Sequence, residues 1–152
     1  MRKFLFLSPA QRFSDFALLL LRVFVGLFLI AGVWDNITDP ARMREFVEFL
    51  RKFHFAAPEL LAPVSVYVQF LVGVGFVLGL FTRWAGILCA INLVVAIVMV
   101  DRFGGMRGAF PSGALVFIGL YLASHGAGRL SLDSALKANE LPRAAGGVRL
   151  KK

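Results

Sequence analysis

Four apolar runs, at residues 16–34, 60–81, 84–100 and 109–125, dominate the chain. Each approaches the ~20 residues that a helix needs to cross a hydrocarbon core about 30 Å thick. Arg22 is the only Lys, Arg, Asp or Glu inside any of them. Lipid offers no partners to backbone amides, so a spanning segment must be a helix or part of a closed barrel. A barrel wall alternates apolar and polar side chains, and these runs do not alternate. The sequence therefore predicts an all-α fold, an integral membrane four-helix bundle. Apolar residues make up 59% of the 152, more than a soluble domain of this size requires. The first run also exceeds the about 7–15 residues of a cleavable signal core and continues into Trp34, Asp35 and Asn36, so it is read as a span.

The longest connection, between spans one and two, carries "DPARMREFVEFLRKFHF" at 39–55. Met43, Phe46, Val47, Leu50 and Phe53 recur at helical spacing, with Arg44, Glu48 and Lys52 on another face. Asp39 followed by Pro40 makes a helix start, the carboxylate near free amides and the proline at the first position. This predicts an extra amphipathic helix that lies in the interface or caps the bundle. A two-residue turn, Thr82 and Arg83, is expected between spans two and three, with Trp34 and Trp84 as interfacial anchors at opposite faces. Gly73, Gly75 and Gly79 include a GxxxG pair, read as helix packing, and the lone Cys89 is read as a small packing residue. Ser131 and Asp133 open a further short helix as N-cap and first-turn acid. The chain thus divides into an amphipathic arm at 1–15, a membrane domain at 16–136 and a basic tail at 137–152.

Charge sets the expected orientation. Residues 1–15, 82–83 and 126–152 hold ten Lys and Arg against three acids; the opposite face, 35–59 and 101–108, holds six against six. The positive-inside rule then puts both termini in the cytoplasm, at a bacterial inner membrane. Because the excess of a net +8 sits beside helix ends, it speaks for anionic headgroups and against nucleic acid as a partner.

Arg22 lies six residues into the first span, about 9 Å along a helix rising ~1.5 Å per residue. At that depth a guanidinium either snorkels to the headgroups or turns inward to polar partners. Asn92, Tyr121 and Asp133 are the expected inward acceptors, with Gln69 nearer the midplane, and they satisfy more of the five donors than a lipid face would. The set Arg22, Gln69, Asn92 and Tyr121 is accordingly the candidate binding group. Ordinary interhelical hydrogen bonding is its competing reading.

The segments "LLLRVFVGLFLIAG" (19–32), "GVGFVLGLFTRWAGILCA" (73–90) and "GAGRLSLDSAL" (126–136) together resemble the DoxX family of small four-helix bacterial membrane proteins. By that resemblance Arg22 and the group Gly128, Arg129, Ser131 and Asp133 form a polar signature. The resemblance implies redox chemistry at the quinone pool, since one relative is a subunit of a thiosulfate:quinone oxidoreductase and others partner with stress-related oxidoreductases. Where family members tend to carry a glutamate in the second span this chain has Gln69, which cannot exchange a proton.

No self-sufficient catalytic constellation is legible. His54 and His125 fall at opposite faces, which precludes one shared metal or haem, and no metal site is expected. There is no nucleophile beside a base, no phosphate loop and no nucleotide fingerprint. The leading expectation is an accessory or anchor subunit with quinone between its helices and a redox enzyme as partner. The alternatives are a membrane subunit of a thiosulfate:quinone oxidoreductase, or a homo-oligomeric solute transporter.

Overall fold

The computed structural model describes residues 13–144. The arm expected at 1–15 falls outside them except for its last three positions, and the tail expected at 137–152 falls outside from residue 145 onward. Among the described residues six α-helices follow one another: α1 (Ser14–Thr38), α2 (Pro40–Lys52), α3 (Pro58–Leu78), α4 (Thr82–Met99), α5 (Gly105–His125) and α6 (Leu132–Ala144), with a 3₁₀ turn at Asp101–Gly104. Helices α1, α3 and α4, and the stretch Asp101–His125 that contains α5, are long and apolar enough to cross a membrane. The protein is an all-α integral membrane bundle. Because four spans return the chain to its starting side, the described ends meet at one face, the terminal end; α2 lies at the other.

Two tight helix pairs make the bundle, α1 on α3 and α4 on α5. Both pairs form because glycine faces glycine: a Cβ on Gly26 would stand 2.6 Å from the Gly73 carbonyl oxygen, and one on Gly119 would stand 2.8 Å from that of Gly86. Lipid supplies no hydrophobic force to bring helices together, so such close backbone approach is what holds them. Cys89 is buried in the α4–α5 seam, its Sγ 3.9 Å from the Leu115 carbonyl oxygen. The core joins the pairs through Leu29, Val72, Phe76, Leu93 and Leu122. Outward faces stay apolar, with Phe24, Phe110 and Phe117 all exposed, as side chains meeting lipid should be.

Helix α2 forms as the sequence predicts. Asp39 Oδ1 accepts from the Ala41 amide at 2.8 Å with Pro40 at the first position, and Met43, Phe46, Val47, Leu50 and Phe53 are the less exposed side. Its polar side carries the ion pairs Arg42–Glu45 and Arg51–Glu48, and Arg51 also reaches Glu59 at the start of α3. Phe49, Phe53 and Phe103 pack in sequence across this end as tilted ring pairs.

The α3–α4 turn differs from expectation. Thr82 is already the first residue of α4, and the turn is Gly79–Phe81. Gly79, at φ +65°, ends α3 in a Schellman arrangement: its N–H donates to the Phe76 carbonyl at 3.3 Å and that of Leu80 to Gly75 at 2.9 Å. Gly79 is therefore a helix terminator rather than half of a packing pair, and Gly73 is the glycine of α3 that packs. Helix α6 also runs through the boundary expected at 136/137, because Ser131 caps a segment of helix formers that continues past it.

Candidate functional site

The buried residues of α1 are Leu18, Arg22, Val25, Gly26, Leu29 and Val33, spaced along one face. Arg22 belongs to that face and is 1% exposed, so it turns inward. Its Nη2 donates to the Leu130 carbonyl at 2.5 Å, while Nε and Nη1 find no partner among the described residues. The guanidinium rests against Gly79, in the space a β-carbon there would fill. That places it at the C-terminus of α3, where unpaired carbonyls give the helix dipole its negative end, a position that favours a cation.

Residues 126–133 hold the carbonyl in place. Ser131 Oγ donates to the Gly128 carbonyl at 2.7 Å and accepts from the Ser134 amide at 3.2 Å, which starts α6. Asp133 faces the other way along the turn. Its Oδ1 accepts from the Phe81 amide at 2.8 Å and its Oδ2 from the Thr82 amide at 3.0 Å, while its own N–H donates to the Gly79 carbonyl at 2.9 Å. A carboxylate thus caps the positive end of α4 beside an arginine at the negative end of α3. Asp15, in the first turn of α1, accepts from the Arg129 amide at 3.3 Å. One loop clasps three elements of the bundle by matching charge to helix polarity.

The other members of the expected binding group do not join Arg22. Asn92 is the eleventh residue of α4 and lies past its middle, where its Oδ1 accepts from Ser65 Oγ at 3.0 Å. Gln69 Nε2 donates to the Leu29 carbonyl at 3.3 Å, which ties α3 to α1. Tyr121 is 48% exposed on the outer side of α5 and stacks on His125, with ring centroids 5.2 Å apart. Asp133, expected as an acceptor for Arg22, is occupied by the two amides. The one acceptor Arg22 finds among the described residues is instead a backbone carbonyl, which no side-chain inventory reveals. Of the signature group, Gly128, Ser131 and Asp133 act through the loop's backbone and caps, and the Arg129 side chain is exposed.

A second feature was not anticipated. Between α3 and α4, beneath α2, lies a cavity of about 430 Å³. Phe46 and Leu50 of α2 roof it, Val68 and Leu88 wall it, and Asn92 and Asp101 are its polar groups together with Ser65. Asp101 accepts from Ser112 Oγ, and the Asn92 amide nitrogen is free of hydrogen bonds among the described residues. The cavity exists because α3 and α4 belong to different tight pairs and touch each other less closely than either touches its own partner. Among the described residues, no three His, Cys, Asp or Glu side chains gather as a metal site would require.

These features define a small polytopic membrane protein whose terminal end is locked by an arginine clasp and whose opposite half carries an apolar cavity. The family model described as DoxX matches residues 17–102, α1 through α4, and the chain belongs to the DoxX family. No curated protein and no solved structure matches it. The matched stretch contains Arg22, Gly79 and Asn92; the loop that completes the clasp lies beyond it.

Proposed function

We propose that the chain is an accessory or anchor subunit of a membrane-associated redox system, and that the cavity beneath α2 takes a quinone. The cavity carries this reading: its walls are aromatic and aliphatic, Ser65 and Asn92 form a polar pair within it, and it opens between α3 and α4 where exposed Val64, Leu88 and Ile91 face lipid. The free amide of Asn92 suits a quinone carbonyl, and the apolar walls suit an isoprenoid tail. A bound quinone supplies two-electron, two-proton exchange; this chain's own residues hold the headgroup and exclude water. Gentle purification from the native membrane, followed by mass spectrometry of both lipids and proteins, tests it. The parent should retain quinone together with an oxidoreductase subunit, and Asn92→Leu should retain about tenfold less, the equivalent of one hydrogen bond of ~1.4 kcal/mol. Equal retention by the two proteins refutes the cavity as the quinone site.

The proposal includes a bacterial inner-membrane location with both termini cytoplasmic, supported by the ten basic residues at the terminal face against six opposite. A single cysteine near residue 150, in a Cys89→Ala background, should resist impermeant maleimide in intact cells and react after permeabilisation. Reaction in intact cells would reverse the orientation.

A further inference from the structure

At the terminal end a second cavity, of about 660 Å³, opens beside the clasp. Arg83, Arg129 and Lys137 line it, with His125 at its edge, and Asp15 and Asp133 are its acids. Both acids are engaged by backbone amides, Asp133 through both oxygens and Asp15 through one. Neither Arg83 nor Arg129 forms an ion pair among the side chains the structure describes. Arg83 is laid across the loop rather than extended from it: its guanidinium lies 3.4–3.9 Å from the point where a Gly126 side chain would begin, so the glycine makes the room it occupies. Buried Arg22 lies behind the same wall, near enough to Asp133 to offset that acid's charge. The rim has a different chemistry. Phe81 is 67% and Trp84 68% exposed, and Leu136 is exposed beside them.

We infer that this cavity binds the headgroup of an anionic phospholipid. Unpaired guanidinium and ammonium groups recognise phosphate oxygens, and Arg does so through a planar fork. The exposed aromatic rim is continuous with the lipid-facing surface of α4, where acyl chains run, and Trp84 sits at the depth of headgroups. A free phosphate ion would use the cations and leave that rim in water, so the lipid is the occupant that satisfies both. Such a molecule would fill the gap between the α3–α4 turn and α6 and fasten the clasp from outside.

Native mass spectrometry of the full chain in detergent, with phosphatidylglycerol and phosphatidylcholine supplied in equal amounts, tests the site. The parent should prefer phosphatidylglycerol, and Arg83→Gln with Arg129→Gln should weaken its binding about 30-fold while leaving phosphatidylcholine unchanged. Arg102→Gln with Arg107→Gln, at the opposite end, should keep the preference. If the first double variant does not fold, the parent alone decides: its preference should collapse at high salt, where headgroup charge is screened. Equal retention of the two lipids by the parent, a preference untouched by salt, or displacement of phosphatidylglycerol by inorganic phosphate would each overturn the inference.

Discussion

Gly79→Ala should lower stability in detergent by about 2–4 kcal/mol, more than its backbone angle alone explains. An alanine held at φ +65° costs about 1 kcal/mol relative to glycine. The larger share comes from Arg22. The added Cβ would fall within the guanidinium, which is enclosed by α1, the Gly79 turn and the 128–131 loop and cannot swing to solvent. Either the arginine gives up Leu130, leaving its own buried guanidinium without a partner at about 1–3 kcal/mol, or the α3–α4 turn moves and strains the bonds from Phe81 and Thr82 to Asp133. Thermal unfolding followed by circular dichroism measures the loss. A melting temperature within a degree or two of the parent's would show that the turn has room the geometry denies it.

Some of this architecture is legible in residue order and some is not, for definite physical reasons. The spans are legible because lipid sets their length and forbids charge, which leaves long unbroken runs. Helix α2 is legible because Asp39–Pro40 marks its start and the 3.6-residue period marks its buried side. The N-cap at Ser131 is legible for the same local reason. The end of α3 is not, since Leu80 and Phe81 continue the apolar run through the turn and lipid-compatible composition conceals where the helix stops. Gly79 stands among three glycines at similar spacing, so packing and termination look alike until the backbone is seen. Residue order leaves Arg22 open between an inward and a snorkelling position, and its acceptor is a carbonyl of a residue whose own side chain is leucine; backbone groups leave no trace in sequence. Asn92 does not reach Arg22 because α4 begins at Thr82, inside the expected turn, and this carries Asn92 past the middle of the helix. The cavity it borders arises from how two helix pairs are spaced, which no single helix encodes.

Arg22→Leu tests the clasp from its other side, and two opposing terms must be compared. Removing a buried cation abolishes its desolvation cost, and replacing buried charge with apolar side chains is neutral or stabilising in some proteins by about 1–4 kcal/mol. Here three circumstances reverse the balance. The cation sits at the negative end of α3, so part of its desolvation is already offset by about 1–2 kcal/mol. Leucine has no donor for the Leu130 carbonyl, and the charge-assisted bond it loses is worth about 1.5–3 kcal/mol. The shorter side chain also leaves a void against Gly79, in a region packed closely enough that a single Cβ would not fit. The net expectation is a loss of about 2–4 kcal/mol, with α6 and the 126–131 loop exchanging amide hydrogens faster. Arg22→Lys should fall between, since it keeps the charge at the helix end and loses the fork. The two positions must also be coupled. With the guanidinium gone only the Ser131 Cβ, 2.7 Å from where a Cβ at residue 79 would stand, still crowds it, so Gly79→Ala in the Arg22→Leu background should cost less than in the parent, its backbone strain of about 1 kcal/mol plus a shift of the 128–131 loop. Additive losses in that double variant, or an Arg22→Leu protein that melts with the parent, would mean that the buried guanidinium holds nothing together.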